Sequence, residues 1–315
     1  MRALITGSSG FAGTHLAAHL RAQPGLEVFG IVRSAGRALA AGTFAVDLTA
    51  KDAVVGLLRE VRPDLIFHLA AQAAVQLSWA NPQETLVNNV LCQLNLLEGV
   101  LAAGLRPRLL VVGSADEYGM VYPHELPVRE ENPLRPNSPY AVSKVAQDML
   151  GYQYSLSHRL HIVRVRPFNH IGPGQSDLFV SASFARQIAE IEYGLRQPVL
   201  MVGNLQAKRD FSDVRDIVRG YALLLERGTP GEVYNLGSGR SVTVQYLLDC
   251  LLAKSRAEIE VRQDPARLRP SDIPELVCDA GKATAATGWR PTIRLERTLR
   301  DLLNSWRERV SSGGS

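Results

Sequence analysis

Cysteine is scarce in this sequence: Cys92, Cys250 and Cys278 are its only three, far apart and without a CxxC pair. Their isolation argues against a disulfide framework and a cysteine zinc site, and fits a reducing compartment, the cytoplasm. No apolar run approaches the ~20 residues that would span a bilayer. Met1 leads straight into RALIT and then into glycines, too short an apolar stretch for a secretory signal peptide. The 7 histidines show no ligand-like pairing, so no metal is expected. Excess charge of one sign is also missing, since 35 basic and 31 acidic residues leave a dispersed net +4. That excludes a nucleic-acid platform but suits a small anionic ligand. The 315 residues contain neither an internal repeat nor a low-complexity linker.

The first half is built from short, β-branched, nearly continuous apolar runs: RALIT, EVFGIV, DLIFHLA, RLLVVGS and HIVRVRP. Such runs suit parallel strands covered on both faces. Helical spacing fills the intervals, for example Phe11 to Arg21 and Glu84 to Ala103. Strand and helix in alternation predict an α/β fold, a doubly wound parallel sheet of the Rossmann type. The segment RPFNHIGPGQ, rich in Pro, Gly and Asn, reads as a loop that closes this pattern. Beyond it, helices such as Val180 to Tyr193 and Val244 to Lys254 mix with short strands. The expected division gives residues 1–165 and 208–240 to a cofactor-binding domain and residues 166–207 and 241–308 to a smaller mixed α/β substrate lobe. Residues 309–315 are expected to be a flexible tail.

TGSSGFAG sets Gly7, Gly10 and Gly13 directly after the first strand, with a helix opening at Phe11. A backbone that must approach a pyrophosphate has no room for Cβ atoms, and the helix amino end offers N–H donors, so the segment reads as a dinucleotide turn. At the end of the second strand, Arg33 and Ser34 occupy the place where an NAD site usually carries an acid. A guanidinium matches a 2′-phosphate, which points to NADP(H), with NAD(H) the alternative. Asp47 and Leu48 border the adenine in this reading, although Asp47 is also suited to capping a helix.

SPYAVSK supplies Tyr140 and Lys144, four residues apart and therefore on one helix face. An ammonium one turn from a phenol stabilises its phenolate and makes proton exchange practicable near neutrality. Ser114 ends the RLLVVGS strand, at the sheet edge where open α/β folds bind ligands, and its hydroxyl can hold a carbonyl oxygen. Together the three residues specify hydride transfer between a nicotinamide and a carbinol or ketone.

These glycines, with HLAAQ, GSADEYG, SPYAVSK and YNLGSG, resemble the extended short-chain dehydrogenase/reductase family, which acts mostly on nucleotide sugars, and the likeness covers nearly the whole chain. RPFNHIGPGQ, VGNLQAKRDFSDVRD and RPSDIP are similar to the branch that handles GDP-mannose derivatives. The resemblance implies cofactor contacts from Leu69, Ala70 and Ala71. It also implies a GDP-sugar site made by Gln72, Asp116, Glu117, Asn169, Phe179, Val180, Arg209, Arg269 and Asp272. In that branch the dehydratases carry Thr with a Glu two residues later, and here the pair reads Ser114 and Asp116. The shorter acid favours a 4-ketoreductase that uses NAD(P)H to turn GDP-4-keto-6-deoxy-D-mannose into GDP-D-rhamnose. The alternatives are a GDP-mannose 4,6-dehydratase, a UDP-sugar 4-epimerase, or a catalytically silent NADP(H)-sensing protein. Two helices, Glu84 to Ala103 and Tyr140 to Ser157, present Leu86, Val90, Leu94, Leu97, Leu101, Ala146, Met149, Leu150 and Tyr154 for an expected homodimer.

Overall fold

The computed structural model describes residues 1–34, 40–267 and 273–313. Its main sheet takes in β1 (Arg2–Thr6), β2 (Glu27–Val32), β3 (Thr43–Ala45), β4 (Leu65–His68), β5 (Arg108–Val112), β6 (His161–Pro167) and, much later in the chain, β10 (Val233–Leu236). These seven strands lie in the order β10-β6-β5-β4-β1-β2-β3, all parallel. The order reverses between β1 and β4, and the crevice beyond the carboxyl ends at that reversal is where this architecture takes a ligand.

Helices cover both faces, as the near-continuous apolar runs require. Helix α1 (Phe11–Arg21) and helix α7 (Val214–Arg227) pack on one face around Leu16, Phe67, Val163, Tyr221 and Leu224. Helices α2 (Lys51–Val61), α4 (Pro82–Ala102) and α5 (Pro139–His158) cover the other around Leu57, Ile66, Leu97, Val111 and Ile162. The short α3 (Val75–Ala80) leads into α4.

The second lobe has its own core. Strands β7 (Asn169–Ile171), β9 (Lys208–Asp213), β11 (Ser241–Thr243) and β13 (Glu275–Leu276) form a four-stranded sheet, and β8 (Val199–Val202) pairs with β12 (Glu260–Gln263). Helices α6 (Val180–Glu192), α8 (Val244–Leu252) and α10 (Leu295–Ser311) enclose Phe184, Ile188, Leu247, Leu251, Leu299 and Leu302. Helix α9 (Gly281–Thr287) returns to the main sheet beside β10, where Trp289 is sealed with its Nε1–H donating 2.8 Å to the Asp216 carbonyl.

Three expectations change here. Residues 169–171, read as loop, form β7, because they find an open edge of β9 to pair with. Residues 208–213, assigned to the cofactor domain, form a strand of the small sheet, and the chain rejoins the large sheet only at α7. The last helix runs through Ser311 with Val310 packed on the lobe core, so residues 309–311 are not a tail. No helix among the described residues is long and apolar enough to cross a membrane.

At the amino edge of the sheet, opposite the crevice, arginines answer the carbonyls left open at helix carboxyl ends. Arg2 donates 2.9 Å to the Val61 carbonyl, Arg59 3.3 Å to Ala102, Arg106 2.8 Å to His158 and Arg108 3.0 Å to Glu226. Much of the basic excess is thus spent on holding the fold.

Candidate active site

The glycine turn is tight for reasons visible atom by atom. Gly7 sits at φ +71°, and a Cβ there would meet the Ala70 backbone at 3.1 Å, while a Cβ on Gly13 would lie 2.1 Å from the Gly7 carbonyl oxygen. The backbone is therefore close on all sides, and the N-cap of α1, Gly10, contributes no side-chain cap. Thr6 ties this turn to its neighbour: its Oγ1 accepts the N–H groups of Leu69 (3.2 Å) and Ala70 (3.1 Å) and meets His68 Nδ1 at 2.9 Å. Gly7, Gly10, Phe11, Gly13, Leu69, Ala70 and Ala71 thus gather at the switch point, in a cradle that fits a pyrophosphate.

Arg33 is exposed at the end of β2, beside Ser34 and close enough to Asp47 to lower its carboxyl pKa. The larger cause of that lowering is Thr49, whose N–H and hydroxyl donate to Asp47 at 2.9 and 2.7 Å. Asp47 is an Asx turn and not the helix cap, since α2 opens at Lys51 after Ala50. Leu48 turns its side chain into the core, and Asn95 Nδ2 donates to its carbonyl at 2.9 Å.

Ser114 follows β5 as the N-cap of a 3-10 turn formed by Ala115–Glu117. Its Oγ accepts the Asp116 N–H at 3.1 Å, which leaves the hydroxyl proton to point elsewhere, and it stands close enough to the Tyr140 hydroxyl to lower the phenol's pKa. Tyr140 and Lys144 stand one turn apart on α5, both buried, with the ammonium 6.0 Å from the phenol ring centre. Lys144 Nζ donates 2.9 Å to the Val112 carbonyl. Burial lowers its pKa to about 8, against an upward pull from Glu117. Burial and then Asp116 raise the Tyr140 phenol above its usual range, with the Ser114 hydrogen bond opposing them. The phenol holds its proton at neutral pH.

The remaining expected contacts divide. Asp116 is half-buried beside Tyr140. Glu117, expected at the substrate, is wholly buried, with Oε1 accepting the Ser114 N–H at 2.8 Å and Oε2 paired with Arg166 at 2.9 Å. Both oxygens are taken, so it serves the turn and not the sugar. Gln72 donates Nε2 2.9 Å to the Ala74 carbonyl, while its N–H meets Asn89 Oδ1 at 2.7 Å. Asn169 is exposed on β7, in register with Phe211 of β9, two residues from Arg209. Arg209 is half-buried and donates to the carbonyls of Ile273 (2.6 Å) and Lys208 (2.9 Å). Phe179 and Val180 open α6, the first half-buried and the second exposed. Arg269 and Asp272 lie outside the described residues.

Asn89 was not anticipated, yet its Nδ2 donates 2.9 Å to Ser143 Oγ while its Oδ1 fixes Gln72, joining α4, α5 and the HLAAQ segment. The signal was available: Asn89 and Gln93 are polar residues four apart in the apolar run of α4, and both are fully buried. Among the described residues no cluster of His, Cys, Asp or Glu is arranged to hold a metal.

The family model for GDP-mannose 4,6-dehydratase matches residues 4–302. The chain belongs to that family. The family member described here is 38% identical to GDP-6-deoxy-D-mannose reductase of Pseudomonas aeruginosa over 98% of each chain. It is 29% identical to GDP-mannose 4,6-dehydratase of Yersinia enterocolitica, covering 96% of this chain and 92% of the other. Among solved structures it matches RMD from Pseudomonas aeruginosa complexed with NADPH, with TM-score 0.88, 37% identity and coverage of 98% and 99%. A UDP-glucose 4-epimerase from Thermus thermophilus in complex with NAD matches with TM-score 0.86, 32% identity and the same coverage. The expected extended short-chain dehydrogenase/reductase fold is borne out.

Proposed function

We propose that this enzyme reduces the C4 ketone of GDP-4-keto-6-deoxy-D-mannose with NADPH, yielding GDP-D-rhamnose. The carrying observation is the geometry at the end of β5: Ser114 stands beside Tyr140, with Lys144 one turn further along α5, so a ketone oxygen held by the serine meets the phenol that protonates it. A dehydratase must begin by oxidising a carbinol and then also needs a carboxylate with the reach to take a sugar proton, where this turn offers the shorter Asp116.

The glycine cradle would hold NADPH with Arg33 at its 2′-phosphate, and the bound cofactor would supply the hydride. Ser114 turns its hydroxyl proton to the ketone oxygen and keeps that oxygen beside Tyr140. Tyr140 protonates the oxygen as negative charge develops there, and the Lys144 ammonium stabilises the phenolate left behind. Asn169, Phe179, Val180 and Arg209 hold the GDP portion on the small lobe in this reading, with Gln72 and Asp116 at the sugar. Arg269 and Asp272 are assigned to the same site on the family resemblance.

The 38% identity to a reductase, against 29% to a dehydratase, supports this direction. So does Asp116, one methylene shorter than the glutamate expected of a dehydratase, since ~1 Å of misplacement costs on the order of a hundredfold in rate. The three cysteines are free thiols, which fits the cytoplasm. The test offers purified protein GDP-4-keto-6-deoxy-D-mannose with NADPH, and GDP-mannose with NADP⁺, following products by mass spectrometry and NMR. NADPH-dependent loss of the ketone is expected. Accumulation of keto sugar from GDP-mannose at a comparable rate would make it a dehydratase.

A further inference from the structure

Behind the serine turn lies a buried group of charges that the reaction as described leaves unused. Glu117, Asp148, Arg164 and Arg166 are each under a tenth exposed, and they set two carboxyl groups against two guanidinium groups. Arg166, on β6, is the hub. Its Nε meets Glu117 Oε2 at 2.9 Å and Asp148 Oδ2 at 3.1 Å, a second nitrogen closes on the same Asp148 oxygen, and Nη1 reaches the Tyr118 hydroxyl at 3.1 Å. Asp148 belongs to α5, one turn beyond Lys144, and its other oxygen takes Arg164 at 2.9 Å. The quartet thus spans the serine turn, strand β6 of the main sheet and the helix of Tyr140 and Lys144.

Such a group is costly to bury, and apolar side chains of similar volume would pack there at no loss of stability. What apolar side chains cannot do is accept a hydrogen bond, and Glu117 uses Oε1 to take the Ser114 N–H at 2.8 Å. The backbone makes room for it: a Cβ on Gly113 would stand 2.2 Å from that oxygen. Side chain and neighbouring glycine are therefore fitted to each other around one contact, and that contact fixes the residue whose hydroxyl faces Tyr140.

We propose that Glu117 is a positioning residue of the reaction: it clamps the serine turn, through Arg166, to α5 and so keeps the Ser114 hydroxyl in register with Tyr140. The inference rests on the assignment of Ser114, Tyr140 and Lys144 given above. Charge supports it as well. The groups facing Glu117 are Arg166 from β6, Asp148, Tyr140 and Lys144 from α5, and its own turn; burial and then Asp148 push its carboxyl up to about 8 against the pull of Arg166, and once ionised it raises the pKa of both Tyr140 and Lys144.

Glu117→Gln keeps the shape but places an N–H donor against a guanidinium or against the Ser114 N–H. In the NADPH-dependent reduction, kcat is expected to fall roughly tenfold to a hundredfold while KM for NADPH stays within twofold, the scale of a small misplacement at the reacting atoms. The alkaline limb of the kcat–pH profile should move to lower pH, because a removed negative charge favours phenolate and disfavours ammonium. Gly113→Ala reaches the same contact from the backbone side and leaves every charge in place, so it should lower kcat without moving the limb. It also decides the matter if Glu117→Gln does not fold. A folded variant of either kind with wild-type kcat overturns the proposal, as does a loss that falls on the NADPH KM with kcat unchanged. An inactive wild-type protein would instead overturn the reductase reading, so the two failures remain distinct.

Discussion

At the scale of single residues, the site rests on which groups hold protons. Tyr140→Phe removes the donor and leaves the cradle untouched, so turnover should fall ~10²–10⁴-fold while NADPH affinity, read by fluorescence titration, changes little. Wild-type kcat in that variant would remove Tyr140 from the chemistry. Arg33→Ala tests the cofactor choice. Loss of a charged hydrogen-bond partner costs roughly 1.5–3 kcal/mol, which should appear in the NADPH KM and hardly at all in that for NADH. Equal weakening of both would show that Arg33 does not select the phosphate. Ser114, Tyr140 and Lys144 were legible in the sequence because their spacing is local: two share a helix turn and the third ends a strand. Glu117 was misread for the opposite reason. Its partners Asp148 and Arg166 are 31 and 49 positions away, and nothing local distinguishes a carboxylate that meets a sugar from one that meets a buried arginine.

At the scale of elements, the first βα turn carries the most constraint. A methyl group at Gly13 has nowhere to go, since the Gly7 carbonyl stands 2.1 Å from its ideal position. Gly13→Ala should therefore open the turn, weakening NADPH binding at least tenfold, about 1.4 kcal/mol, with a measurable drop in Tm. Unchanged affinity in a titration would mean that the cofactor does not use this turn. The helices and strands of the first half were legible because period and length agree there, and α1 runs over the expected Phe11–Arg21. Strand β7 was hidden because Gly and Pro around it signal a loop, while its pairing with β9 is decided forty residues later. The expected dimer face also sorts itself out at this scale. Leu97 and Tyr154 are buried in the chain's own core, and Leu94, Leu101 and Leu150 pack against it. Of the expected set Met149 stays open on α5, at the centre of a stripe with Val142 and Leu156, seven residues apart, the three being 44% (Val142), 41% (Met149) and 63% (Leu156) exposed, and Val87 of α4 is 48% exposed.

At the scale of the whole molecule, that stripe supports a two-fold pairing of α4 and α5 from two chains into a four-helix bundle. Light scattering at micromolar concentration should give twice the chain mass of 34.4 kDa. Leu156→Glu combined with Met149→Glu should return it to the monomer with the site intact, and a stable wild-type monomer would end the dimer proposal.

The chain does not finish one lobe before starting the other. It leaves the main sheet after β6, builds β7, α6, β8 and β9, returns for α7 and β10, leaves again for β11 through β13, returns for α9, and ends in the small lobe as α10. Leu299, Leu302 and Trp306 of that last helix complete a core begun by Ile171. Asp216 of α7 accepts the N–H groups of Thr292 and Ile293, both at 2.8 Å, just where the chain makes its final crossing. Each half is assembled from several separate segments, so neither can be cut out as one continuous fragment, and stability becomes a property the halves share. Calorimetry should record one cooperative melting transition, with a substrate analogue bound on the small lobe raising the melting temperature of the cofactor sheet by the same amount. Two resolved transitions would mean that the lacing does not couple them. With the coupling, the nucleotide sugar and the dinucleotide each help to stabilise the floor on which the other is held.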